Sequence, residues 1–170
     1  AAAAASGGLL GDIILDAIAR HGDAIAFVDD EGETSYRAFG QMVAQAMDEG
    51  AWAISTGLKY LPGAFSELDE VVALSEVAGR MGGFYTSHLR EEGLGLLEGV
   101  GEALEIGKRA NIPIVLTHHK VVGQPTWGAS VKTLAMVDSA RAAGTDAMID
   151  QYPYTASYTG ITILIPAWAM

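Results

Sequence analysis

The sequence predicts an α/β fold built of parallel βα units, and three observations carry that prediction. A helix, a Gly or Asn stop and a short apolar strand follow one another four times, at intervals of about thirty residues, the length of a βαβ unit. All four strand ends open into polar sequence: STGLKY, SHLREE, THHKVVG and QYPYTASYTG. Two of those ends carry a histidine, His88 and His118. Short apolar strands alternating with helices call for a parallel sheet covered by helices.

The chain opens on five alanines, and residues 1–8 read as a linker or tag-like stretch. Residues 9–20 (LLGDIILDAIAR) place apolar side chains at helical spacing, with His21 at the helix end and Gly22 as the stop. Residues 24–28 and 33–36 flank DDEG and read as a hairpin. This helix–hairpin block, residues 9–39, differs from everything after it and is expected to be a segment of separate origin, packed outside the parallel sheet. Residues 40–170 carry the repeating units.

Within those units, residues 41–49 read as helix, Gly50 as stop and 51–56 as strand. Residues 67–80 form the next helix, with Ser66 as N-cap, Asp69 at the capping-box position and Leu68, Val71, Val72, Ser75 and Ala78 along one face. Gly82–Gly83 end it, and a strand over 84–87 leads to His88. Residues 94–110 are helical up to Asn111, and a strand over 114–117 leads to His118. Residues 129–143 are helical up to Gly144, and 147–151 form the last strand. Gly and Asn stand where a left-handed residue closes a helix.

Composition narrows the function. The 170 residues include no cysteine, which excludes a disulfide framework, thiolate metal ligands and a cysteine nucleophile within this chain. A net charge of −11 and a pI near 4.6 argue against a nucleic-acid or anionic-membrane surface. No apolar stretch approaches the roughly 18–20 residues of a membrane helix. A cytoplasmic protein acting on a small molecule is expected.

In open sheets and barrels alike, chemistry gathers at the carboxyl ends of the strands. Neighbouring strands lie about 4.8 Å apart, so histidines ending adjacent strands can share one metal ion. Lys120, two residues past His118, either binds a substrate carboxylate as a point charge or is a solvated loop lysine. Arg90 has the same two readings, with Glu91 and Glu92 as its surface partners. Tyr60, Tyr152, Tyr154 and Tyr158 offer amphipathic pocket walls. Asp150 serves as acid, base or ligand, or simply caps the loop after its strand. His119 is expected to point away from His118. No Walker pattern, GxSxG elbow or dinucleotide fingerprint is present.

The segments AMDEGAWAISTGLKYLPG, GGFYTSHLREEG, IPIVLTHHKVVGQPTWG and DQYPYTASYTG, in that order, resemble the N-acyl-D-amino-acid deacylase (D-aminoacylase) family of the amidohydrolase superfamily. The resemblance implies part of a (β/α)8 TIM barrel, about four of its eight strands. It also implies zinc, or another divalent metal, at the strand ends and hydrolysis of the amide bond of N-acyl-D-amino acids. It assigns His88 and His118 as metal ligands, and Lys120, Tyr60 and Tyr152 to the substrate site. The family's HxH pair, strand-borne cysteine ligand and catalytic aspartate have no counterpart here, so no catalytic residue is assigned. The chain is therefore expected to be the central portion of such an enzyme and inactive by itself. A non-catalytic α/β half-barrel that pairs with itself is the alternative. Residues 9–37 separately resemble the start of adenylate-forming enzymes of the acyl-CoA synthetase type, without any of their ATP-binding motifs.

Overall fold

Ser35 is where hairpin gives way to helix. The computed structural model describes residues 23, 25–29 and 32–164, and in it β1 (Ile25–Asp29) and β2 (Gly32–Ser35) pair antiparallel. The Ser35 hydroxyl accepts the Ala38 N–H at 3.2 Å and caps α1 (Tyr36–Asp48). Such a cap satisfies one of the N–H groups that every helix start leaves unpaired. The helix therefore starts at Tyr36 rather than at residue 41, and Tyr36 belongs to it rather than to the hairpin. The expected helix over 9–20 and His21 lie outside the described residues.

The four later strands form their own sheet. β3 (Ala53–Gly57), β4 (Phe84–His88), β5 (Ile114–Leu116) and β6 (Ala147–Ile149) lie in sequence order, all parallel. Thr56, Ser87, Leu116 and Ile149 share one row across the sheet, and Gly57 pairs with His88. The helices α2 (Leu68–Arg80), α3 (Leu96–Arg109) and α4 (Ser130–Ala142) make the crossovers, each packed on its neighbour. Parallel strands need crossovers of this length.

The helix stops behave as the sequence implies. Gly50, Gly82, Asn111 and Gly144 all have positive φ, of 108°, 81°, 48° and 97°. The cap of α2 differs. Glu67, not Ser66, is the N-cap, and Glu70, not Asp69, completes the capping box, its carboxylate accepting the Glu67 N–H at 3.0 Å. The backbone is still extended at Glu67, with ψ of 154°, so helical geometry begins one residue later than the expected cap allows.

Burial alternates along β4, with Tyr85 and Ser87 buried and Phe84, Thr86 and His88 half-buried. Ile114 and Leu116 of β5 continue the buried face, against Val72, Leu96, Val100 and Ile106 of the helices. His88 thus emerges on the face that the helices leave open. No helix among the described residues is long and apolar enough to cross a membrane.

Candidate metal centre

Strand register decides the first feature of the site. His88 is the last residue of β4, and His118 follows the neighbouring β5 by two residues. Their rings meet edge to face, with centroids 4.6 Å apart, and His88 Nδ1 stands 2.9 Å from His118 Nε2. Two imidazole lone pairs at that distance repel each other unless a proton or a cation lies between them. The His118 backbone is left-handed, at φ 43°, which turns its ring towards β4 instead of letting it continue the strand.

Glu92 completes a cluster that sequence reasoning missed. Its carboxylate oxygens lie 3.5 Å from His88 Nε2 and 3.4 Å from His118 Nδ1, and the residue is only 7% exposed. Lys120 Nζ donates to Glu92 Oε1 at 2.6 Å and lies 2.9 Å from His118 Nδ1. The solvated reading of Lys120 does not hold: it is paired inside the site. The loop that carries Glu92 is tied down on both sides. The Glu92 carbonyl accepts the Val122 N–H at 2.8 Å, and Glu91 Oε1 accepts the N–H groups of Glu92 and Gly93 at 3.0 Å each. Glu91 also takes Lys59 Nζ at 2.7 Å. Burial raises the Glu91 pKa, but the Lys59 bond and the two N–H groups outweigh it and hold it below the ordinary carboxylate range.

His88, Glu92 and His118 each bring one donor atom within 4.8 Å of the others. Two imidazoles are donors that zinc accepts, and a carboxylate beside them adds negative charge. Nitrogens bound tetrahedrally to one zinc stand about 3.3 Å apart, so the facing pair needs to open by only a few tenths of an ångström. Burial pushes the His88 imidazole below its ordinary pKa; Glu92 opposes this, and the neighbouring His118 and Lys120 add to it. A neutral imidazole is the form that binds metal. These residues therefore fit a divalent cation.

The remaining residues sort clearly. The Tyr60 ring packs edge-on to His88, centroids 4.8 Å apart, and its hydroxyl pairs with that of Thr159 at 3.0 Å. Tyr152 lies 5.9 Å from Lys120 Nζ and stacks on Tyr154. Together with Lys59 they border a cavity of about 750 Å3 above the two histidines. Fully exposed Tyr158 borders it too. His119 points away as expected: it is buried and pairs with the Thr133 hydroxyl of α4 at 2.8 Å, and burial lowers its pKa.

Arg90 is not brought to the site. Its guanidinium grips the Glu102 carboxylate at 2.8–3.0 Å and donates to the carbonyls of Ala64 at 2.8 Å and Ser66 at 2.7 Å. It pins the loop after β3 to α3, and neither Glu91 nor Glu92 is its partner. Asp150 is not one of the clustered donors among the described residues, and its carboxylate accepts the His118 backbone N–H.

No family model matches the chain. It is 45% identical over 130 residues to an N-acyl-D-glutamate deacylase of Alcaligenes xylosoxydans xylosoxydans, covering 76% of this chain and 26% of that protein. A D-aminoacylase of the same organism is 37% identical over 122 residues, covering 72% of this chain and 25% of the other. The chain thus spans about a quarter of the length of the curated relatives it matches. Among solved structures, an N-acyl-D-glutamate deacylase from Bordetella bronchiseptica, complexed with zinc and a phosphonate inhibitor, superposes with a TM-score of 0.68 at 39% identity. A D-aminoacylase described as defining a novel subset of amidohydrolases gives 0.66 at 35%. Each alignment covers 69% of this chain and 25% of the solved one. The parallel units are part of a (β/α)8 barrel. In that fold His88 and His118 stand at the strand ends, where barrel enzymes build their sites.

Proposed function

We propose that this chain is the part of a metal-dependent amidohydrolase that supplies two histidine ligands, and that the enzyme hydrolyses the amide bond of N-acyl-D-amino acids. One observation carries the reading: His88 Nδ1 and His118 Nε2 face each other at 2.9 Å from the ends of adjacent parallel strands. The deacylases to which the chain is similar, one of them solved with zinc, support it.

In this reading His88 and His118 hold zinc. Bound zinc supplies Lewis-acid polarisation of the scissile carbonyl and makes a nucleophile available at neutral pH. Lys120 meets the substrate carboxylate as a point charge, held near the ligands by Glu92. Tyr60 and Tyr152 wall the cavity, whose volume of about 750 Å3 suits a small acylated amino acid. Residues 9–39 are read as a segment of separate origin, a reading that a hairpin forming its own sheet supports.

Zinc titration of the chain tests the site. Saturable binding lost in both His88→Ala and His118→Ala is the expected result, and unchanged binding in both rejects it. In a full-length relative carrying the same segments, those changes should abolish metal uptake and turnover together, while Lys120→Ala should mainly raise KM.

A further inference from the structure

We infer that Glu92 is a positioning residue shared by both histidines, one carboxylate that orients the two rings from behind. The inference rests on the proposed metal site and assigns a role within it that neither the strand-end pattern nor the zinc chemistry requires. The two nitrogens of an imidazole point their lone pairs in divergent directions, so each ring has one nitrogen facing the ion and one facing away. Here the inner nitrogens are His88 Nδ1 and His118 Nε2, 2.9 Å apart. The outer ones are His88 Nε2 and His118 Nδ1, and both lie against Glu92, at 3.5 Å from Oε2 and 3.4 Å from Oε1.

When the inner nitrogens bind a cation, each neutral ring must carry its proton on the outer nitrogen. Both outer N–H groups then find an acceptor in Glu92, one on each carboxylate oxygen; at His118 Nδ1 this displaces Lys120 Nζ, 2.9 Å away in the present geometry, which keeps its bond to Oε1. His88 Nε2 is buried and has no hydrogen-bond partner in the present geometry, and a small rotation towards Oε2 supplies one. Hydrogen bonding of the outer nitrogen to a carboxylate fixes the tautomer and ring orientation of a metal-ligating histidine.

Two further observations separate this role from direct ligation. The Glu92 carboxylate is already held by Lys120 Nζ at 2.6 Å, which balances its buried charge. Its backbone is fixed by Val122 and Glu91, which keeps it beside the outer nitrogens. Ligation by Glu92 on the inner side would break its carboxylate's bond to Lys120.

The test compares cobalt(II) and zinc binding by the wild-type chain and by Glu92→Gln, using chelator competition for affinity and the cobalt(II) visible spectrum for the coordination sphere. The expected result is affinity weaker by about 10–100-fold with the cobalt bands unmoved. Equal affinity overturns the inference, as does a spectral change that reports loss of a coordinated carboxylate, since Glu92 would then be a ligand. If Glu92→Gln fails to fold, Glu92→Asp, which keeps the charge but withdraws it, must show the same loss with the same bands. A wild-type chain that takes up no cobalt or zinc overturns the metal reading itself, a result distinct from any difference between the variants.

Discussion

Asp150 holds His118 by its backbone. One Asp150 carboxylate oxygen accepts the His118 N–H, and the Asp150 carbonyl accepts the His119 N–H at 2.9 Å. This clamp stabilises a non-glycine residue in the left-handed region, a conformation that costs about 1–2 kcal/mol. Asp150→Ala should destabilise the chain by about 1–2 kcal/mol and weaken zinc binding, measured by urea denaturation and zinc titration. If zinc affinity is untouched, the His118 backbone does not depend on this contact.

Gly99 of α3 lets the helix approach the loop that carries Glu92. A Cβ there would stand 2.6 Å from the Glu91 carbonyl oxygen and 3.2 Å from the Glu91 nitrogen, both backbone atoms. Gly99→Ala should therefore push that loop outward, at a cost of about 1–3 kcal/mol, and lower metal affinity with it. A variant as stable as the wild type would show that the helix simply shifts.

Arg90 gives the opposite pattern. Losing its bonds to Glu102, Ala64 and Ser66 leaves a largely buried carboxylate without its counter-charge. Arg90→Ala should cost about 3 kcal/mol in chemical denaturation. Metal affinity in the folded fraction should stay within about twofold, because Arg90 touches neither histidine. A selective loss of metal binding would return Arg90 to the site.

Among the described residues β3 and β6 are the edges of the four-stranded sheet, and Trp52, Phe65 and Val131 are largely exposed. Parallel edges and apolar surface of this kind favour association. Sedimentation at micromolar concentration should detect species larger than a monomer. A well-folded monomer would count against this expectation.

Two histidines are fewer than the three protein ligands of a catalytic zinc site. The chain by itself should therefore show no measurable hydrolysis of N-acetyl-D-glutamate, even with zinc added. Product formation above the buffer blank, abolished by His88→Ala, would mean that the site is more complete than His88 and His118 make it.

What the sequence determined by itself was the βα order, the helix stops and the two histidines. These are local or periodic facts: apolar spacing sets each element, Gly and Asn close the helices, and strand ends collect polar residues. Both His88 and His118 were legible because a histidine ending an apolar run stands out along the chain. Glu92 was not, since in HLREE it reads as a surface partner of the neighbouring Arg90. Only the tertiary structure decided otherwise. It carries Arg90 away to Glu102, twelve residues on, and folds the loop so that Glu92 meets Lys120, twenty-eight residues on. Charge pairing in a buried loop depends on which groups are desolvated together, and that is settled by packing between elements, not by neighbours in sequence.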